Sequence, residues 1–337
     1  MPRKKLLFIT TGGTIASVRT PQGLRPVLSS GELLDQMPAL GALCDFDTRA
    51  LCSIDSTDMT PAHWLAMARA IEESYDRYDG FILCHGTDTL AYSAAALSYL
   101  VQDSAKPIIL TGSQQPISGE ITDAKKNLWD SVVCAIDDES RGVMVVFGGL
   151  VIAGTRAKKN KTISYDAFAS VNFPHLAQVQ GEKLVRYIAA PPPAGPVRFY
   201  HRLDERVFLL KLTPGMGPGL LPAIFSQYDC VVAESFGAGG LPRQLVEGFA
   251  AGLGRYEETG KVLILTTQVT YEGSDAGIYE VGRRVKDRLA FLEAHDMTIE
   301  AAITKSMWLL AAGCPTFEAL QRQFYRRVNF DTFYDAT

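Results

Sequence analysis

Short apolar runs, each closed by a glycine-rich polar turn, recur along this chain and restrict the folds open to it. Leu6-Leu7-Phe8-Ile9 leads into Thr11-Gly12-Gly13-Thr14, and Phe81-Ile82-Leu83-Cys84 into Gly86-Thr87-Asp88-Thr89. Pro107-Ile108-Ile109-Leu110 leads into Thr111-Gly112-Ser113, and Val143 to Phe147 ends at Gly148-Gly149. A strand with one wet face alternates apolar and polar residues, whereas a strand covered on both faces is apolar throughout. These runs are of the second kind, and a helical pattern such as Ala91 to Gln102 follows. The fold class expected is α/β, with a helix-covered, mainly parallel sheet. Helix starts are legible as well. Thr60-Pro61 offers an N-cap hydroxyl and a proline at the first helical position, Thr316 can cap the stretch from Phe317 to Phe324, and Asp123 opens another.

The length of 337 residues suits two domains. One composition shift divides the chain: Ala189-Ala190-Pro191-Pro192-Pro193-Ala194-Gly195-Pro196 continues neither a helix nor a central strand. Beyond it the strand–helix alternation resumes at Val207 to Leu212, Cys230 to Ala233 and Val262 to Leu265. The expected organisation is an α/β domain over 1–190, a proline-rich linker over 191–204, and a second α/β domain over 205–337.

Several function classes are disfavoured. The net charge of −4 provides no basic field for nucleic acid or an anionic membrane. No apolar run approaches the roughly 20 residues of a membrane helix, and the N-terminal run is too short for a signal peptide. The six cysteines form no C-x-x-C, and neither His-x-His nor H-E-x-x-H occurs, so neither metal nor cofactor is expected. A reducing, cytoplasmic address follows.

Ligands of open α/β sheets collect at loops leaving the carboxyl ends of strands. Three such loops are rich in hydroxyls and glycine: Thr10 to Thr14, Gly86 to Thr89, and Thr111 to Gln114. The hydroxyls are candidate nucleophiles, and exposed backbone amides can serve an oxyanion. Phosphate binding is the rival reading, but G-x-x-x-x-G-K-[ST] is absent and Gly12-Gly13-Thr14 lacks the G-x-G-x-x-G spacing. His85 ends an apolar strand with no G-x-S-x-G nearby, which suits packing better than catalysis. His63, His175, His201 and His295 form no constellation. A base for threonine must then be a lysine or a carboxylate.

Thr11-Gly12-Gly13-Thr14-Ile15-Ala16-Ser17 and Tyr78 to Leu90 resemble the two signature segments of bacterial-type L-asparaginases. Asp55-Ser56-Thr57-Asp58-Met59, Thr111-Gly112-Ser113-Gln114, Ser164 to Phe168 and Ile278 to Arg283 extend the likeness over nearly the whole chain, nearest to the cytoplasmic type I branch. The resemblance implies a larger N-terminal domain with a mainly parallel sheet and a smaller flavodoxin-like C-terminal domain. It implies hydrolysis of the side-chain amide of L-asparagine, with Thr14 as nucleophile and Thr87, Asp88 and Lys159 as a second catalytic cluster. Asp55, Ser56, Thr57, Thr87, Asp88 and Ser113 would hold the substrate, and the Thr87 N–H is an oxyanion donor. The only partner implied besides substrate is the chain itself, as a homodimer or homotetramer in which the neighbour's C-terminal domain completes the site.

The sequence departs from the family in two places. Many relatives carry a tyrosine past the first signature where this chain has Gly23-Leu24, and leucine has no hydrogen-bonding group to offer Thr14. Tyr271 or Tyr279 of a partner subunit is the expected substitute. Glu234 stands where regulated type I enzymes use arginine, so that allosteric site is not expected. Two other activities compete. One is a dual asparaginase/glutaminase, because one methylene shifts discrimination by only ~1–3 kcal/mol. The other is the ammonia-releasing subunit of a tRNA-dependent amidotransferase, disfavoured by the early first signature and the acidic charge.

Overall fold

The computed structural model describes residues 3–21, 23–26, 28–278 and 288–334. The chain divides into two compact units, Met1–His201 and Arg202–Thr337. In the first, β1 (Lys5–Gly12) is followed by a hairpin of β2 (Ser17–Thr20) and β3 (Gly23–Pro26), then β4 (Asp45–Ile54) and β5 (Gly80–Cys84). Next come β6 (Val101–Gln102), β7 (Pro107–Thr111), β8 (Gly142–Phe147), β9 (Leu150–Ala153), β10 (Ala157–Lys159) and β11 (Phe168–Ser170). β12 (Ala177–Gln180), β13 (Lys183–Arg186) and β14 (Arg198–Phe199) complete the unit.

Eight of these strands form one sheet in the order β13-β12-β9-β8-β7-β5-β1-β4. The run from β4 to β8 is parallel, whereas β9, β12 and β13 join antiparallel. The uniformly apolar sequences lie where the sheet is covered on both faces, for every residue of β5 and β7 is buried. Each Phe, Ile or Leu sealed in this way contributes on the order of 1.5–3 kcal/mol. The helix Leu90–Leu100 is buried almost all round, and its small residues allow close approach: a Cβ on Gly154 would stand 2.7 Å from Ser98 Oγ and 2.9 Å from the Ala94 carbonyl. The helix Ala124–Ile136 exposes Lys125 and Lys126 in its first turn and is buried from Asp130 to Ala135.

Topology selects one end of this sheet. From β1 the chain moves outward to β4, then returns to the other side of β1 for β5 and proceeds through β7 to β8. Strand order therefore reverses between β1 and β5. Connections that diverge there leave a crevice beyond the carboxyl ends of the two strands, the usual ligand position in such sheets.

The proline-rich tract is followed by β14, where Arg198 and Phe199 pair with Gln102 and Val101 of β6. The chain up to His201 is thus bound to the first unit, and the division falls at 201/202.

The second unit contains β15 (Val207–Lys211), β16 (Cys230–Ser235), β17 (Val262–Thr267) and β18 (Leu292–Glu293), all parallel and adjacent in chain order. Leu210, Val231, Leu245, Phe249 and Leu263 belong to its core. Lys305, on the helix Ile299–Ala312, forms a 2.6 Å ion pair with Asp331, both side chains being fully buried. Lys305 Nζ also donates to the Arg326 carbonyl at 2.9 Å. Burial pushes the lysine pKa down against the pull of Asp331. The pair fastens the segment after the last helix, Phe317–Tyr325, to the body of the unit.

No described helix is long and apolar enough to cross a membrane. All six cysteines are free, and no cluster of three or more metal-ligating side chains occurs among the described residues.

Candidate active site

Three loops meet at the reversal between β1 and β5, and glycine makes the meeting possible. Gly13 has φ 79°, and a Cβ there would stand 2.5 Å from the backbone nitrogen of Gly86. A Cβ on Gly86 would stand 2.6 Å from Ser56 Oγ, and one on Gly112 2.3 Å from the His85 carbonyl. At Gly13 and Gly112 backbone lies directly against backbone, and at Gly86 against the Ser56 side chain, an approach that only glycine permits. Hydrogen bonds stitch the contact. Gly13 N–H donates to the Ile54 carbonyl at 3.1 Å, Thr89 Oγ1 to the Ser56 carbonyl at 2.7 Å, and His85 N–H to the Thr111 carbonyl at 2.8 Å.

Thr14, half-buried, opens the short helix Thr14–Ala16 immediately after β1. Thr87 lies after β5 with 5% of its surface exposed, and the exposed Asp88 follows it. Lys159, the last residue of β10, reaches both: its Nζ donates to Thr87 Oγ1 at 2.8 Å and to Asp88 Oδ1 at 2.6 Å. Neighbours on a strand face opposite sides, so Lys158 is turned away from the side on which Lys159 meets Thr87. Lys161 pairs with Asp166.

The other residues singled out in the sequence fall on several elements. Asp55 caps the short helix Ser56–Asp58, its Oδ1 accepting from Thr57 N–H and Thr57 Oγ1, each at 2.9 Å. Ser56 is buried against Gly86. Ser113 is also buried, and its hydroxyl donates to the Gln115 carbonyl within its own loop. Leu24 lies in β3, where it pairs with Arg19 of β2. Tyr271 is exposed in the second unit, and Tyr279 is outside the described residues.

The sequence reading passed over a supporting layer. Gln114 Oε1 accepts the Thr87 hydroxyl proton at 3.1 Å, while its Nε2 donates to the Ser164 carbonyl at 3.3 Å. Asp123 begins a helix, as expected, but does not cap it. Its carboxylate accepts from the N–H groups of Gln114 (2.9 Å) and Gln115 (3.0 Å) instead. Burial pushes its pKa up against those hydrogen bonds. One turn on, Asn127 donates to the Gly112 carbonyl and accepts from Gly148 N–H, both at 2.9 Å. The spacing of Asp123 and Asn127, four residues apart, was the available signal, because it places both on one helix face.

His85 is fully buried. Its Nδ1 bonds to the Gly86 carbonyl at 2.7 Å, and its Nε2 meets Ser93 Oγ at 2.9 Å. Ser93 Oγ accepts from Trp64 Nε1 at 2.8 Å. Burial pushes the imidazole pKa down to about 4. The helix Leu90–Leu100 begins at Thr89 with no side chain capping it, and the Thr87 N–H just before it has no acceptor among the described residues, so that amide is available to an anionic or developing oxyanionic group.

Polar loops at the sheet's switch point, with one lysine bonded to both a threonine and a carboxylate, define the site of this α/β protein. Residues 5–191 match the asparaginase N-terminal domain, and residues 206–324 match the glutaminase/asparaginase C-terminal domain. The chain belongs to the asparaginase family.

It is 39% identical to an L-asparaginase of Thermococcus kodakarensis over 316 residues, 91% of this chain and 92% of that protein. It is 31% identical to L-asparaginase 1 of Escherichia coli over 320 residues, covering 92% and 93% of the two. It is also 31% identical over 326 residues to a glutamyl-tRNA(Gln) amidotransferase subunit of Pyrococcus furiosus, spanning 92% of this chain but 73% of that one. Among solved structures, the thermostable L-asparaginase from Thermococcus kodakarensis superposes with a TM-score of 0.90 at 35% identity, covering 98% of this chain and 100% of that one.

Proposed function

We propose that this chain hydrolyses the side-chain amide of L-asparagine to L-aspartate and ammonia through an ester formed on Thr14. The observation that carries this reading is the single ammonium group within hydrogen-bonding distance of both Thr87 Oγ1 (2.8 Å) and Asp88 Oδ1 (2.6 Å). Lysine in its neutral form can take the Thr87 proton, and the carboxylate stabilises the ammonium that results. Asp88, Asp55 and Ser56 supply the carboxylate and hydroxyl groups that a zwitterionic amino acid needs, with Thr57 holding Asp55 in place and Ser113 fixing the shape of the third loop.

In the first half-reaction Thr14 Oγ1 attacks the amide carbon, and the carbonyl oxygen becomes an oxyanion facing the Thr87 N–H. Collapse breaks the carbon–nitrogen bond, and ammonia leaves with the proton lost from Thr14. In the second half, water gives a proton to the Thr87–Lys159 relay and attacks the ester, releasing aspartate and restoring the Thr14 hydroxyl. A positioned nucleophile and preorganised donors are the means of acceleration available to such a site. The leucine at position 24 offers no hydroxyl to the first proton transfer, so we assign that role to the same relay.

We further propose that the working form is a homodimer or homotetramer in the cytoplasm. The loops Thr266-Thr267-Gln268 and Tyr271 to Asp275 of one copy would complete the pocket of the next. Sedimentation of fully active monomer would sink this part. The likeness to an amidotransferase component supports a second reading, in which ammonia is released only within a larger complex. Ammonia release by the purified chain, with asparagine and glutamine run in parallel, separates these readings. Release from asparagine supports the first, equal release from both makes the enzyme dual-specific, and no release from either refutes it.

A further inference from the structure

His85 is held at both ring nitrogens, and the direction of each bond can be assigned. A carbonyl oxygen only accepts, so Nδ1 carries the proton given to Gly86 O at 2.7 Å. Trp64 Nε1 only donates, so Ser93 Oγ accepts from it at 2.8 Å and turns its own hydrogen toward His85 Nε2 at 2.9 Å. The line Trp64–Ser93–His85–Gly86 therefore fixes one neutral tautomer in a fully buried ring.

The carbonyl that receives this bond belongs to the peptide joining Gly86 to Thr87. That peptide is trans, as is every described peptide bond, and in a trans peptide C=O and N–H point in opposite directions. Drawing Gly86 O toward the imidazole therefore turns the Thr87 N–H the other way. Thr87 N–H has no acceptor among the described residues. Gly86 lacks a side chain that could hold this peptide, and its backbone lies against Gly13 and Ser56.

We propose that His85 is a positioning residue for amide hydrolysis, aiming the Thr87 N–H at the oxyanion by gripping the opposite end of the same peptide. This rests on the function proposed above. It gives the buried histidine a role distinct from acid–base catalysis. A donor aimed at an oxyanion acts chiefly in the transition state, so its loss lowers kcat and leaves KM nearly unchanged.

The test is a pair of substitutions that each keep one end of the ring. Asparagine places an N–H near the position of Nδ1 and can still donate to Gly86 O. Glutamine reaches the Nε2 end and keeps the contact with Ser93. His85→Asn is expected to retain kcat within about fivefold, whereas His85→Gln loses about 10²-fold, the scale of one lost oxyanion donor. Ser93→Ala, on a different element, removes the group that holds the tautomer, and is expected to lower kcat about tenfold with KM unchanged. Thermal melting of each variant separates these losses from failure to fold. Should His85→Gln not fold, Ser93→Ala decides by the same split between kcat and KM. Equal kcat for the asparagine and glutamine variants, or losses confined to KM, would overturn the proposal while leaving the hydrolase reading intact. A wild-type chain that releases no ammonia from asparagine or glutamine would take down both.

Discussion

The two units place similar residues at the carboxyl ends of similar parallel strands, yet among the described residues they give those residues different partners. In the second unit, Ser235 Oγ donates to the Thr266 carbonyl and Thr267 Oγ1 to the Gly237 carbonyl. Gln268 Nε2 donates to the carbonyls of Leu212 (2.6 Å) and Glu234 (3.0 Å). Each of these groups satisfies its own unit's backbone. In the first unit, the Thr87 hydroxyl meets the side chains of Lys159 and Gln114, and among the described residues its N–H has no acceptor. The topology differs in the same sense. The four strands of the second sheet run in chain order, whereas the first sheet reverses between β1 and β5. Hydroxyl-rich loops alone therefore do not make a site. A strand-order reversal that separates the loops, together with a Thr87 hydroxyl held by side chains rather than by carbonyls, distinguishes the end of the first sheet where we place the chemistry.

The sharpest way to break this contrast is to remove a hydroxyl from each of the two loops to which we assign the chemistry. Thr14→Ala and Thr87→Val are each expected to lower kcat with asparagine by about 10⁴-fold or more while melting near the wild type, in keeping with removal of a reacting group. Lys159→Met belongs with them. A loss seen in Lys158→Met and absent in Lys159→Met would mean that the register along β10 had been misjudged.

Stability should show the opposite distribution. Lys305→Met leaves Asp331 buried without its cation, which costs about 3–5 kcal/mol. The variant should melt well below the wild type and, at temperatures where it is folded, retain turnover per folded molecule. Calorimetry together with an activity assay checks both halves.

The first unit should also carry a pH-dependent term from His85, whose pKa burial lowers from 6.5 to about 4. Between those values the unfolded chain binds the proton that the folded chain refuses, so stability rises with pH across the window. It is complete above about 6.5 and falls by about 3 kcal/mol on acidification to 4. Urea titrations of wild type and His85→Asn across this range should show the slope flattened in the variant. The smallest effect is expected from Glu234→Gln, whose partner Lys211 lies 3.6 Å away on a strand end outside the proposed chemistry. Its kcat should stay within about twofold of wild type, and a larger change would erase the distinction between the two strand ends.

Much of this molecule was legible before its structure. The apolar runs at Leu6, Phe81, Pro107 and Val143 lie in the parallel strands, because a strand covered on both faces has no polar side to show. Thr60-Pro61 and Thr316 start helices at the expected places. The antiparallel edge was not legible. β13 at the edge and β12 beside it read Lys-Leu-Val-Arg and Ala-Gln-Val-Gln, partly polar because this end of the sheet is only partly covered. The three hydroxyl loops could be named from their sequence, but their meeting depended on strand order, which no local pattern encodes. The supporting residues were hidden for a related reason. Asp123 and Asn127 show only their four-residue spacing, and for Trp64, 29 residues from Ser93, a side chain bonded to a remote partner leaves no periodic trace.

The central claim is that Thr14 carries the acyl group while Thr87, Lys159 and Asp88 move the proton. Rapid-quench mass spectrometry of the chain mixed with asparagine tests it most directly. The expected result is a transient peptide adduct with the mass of an aspartyl ester, located at Thr14, absent from Thr14→Ala and formed far more slowly in Lys159→Met. An adduct on Thr87, or ammonia release at full rate from the Thr14→Ala variant, would contradict it.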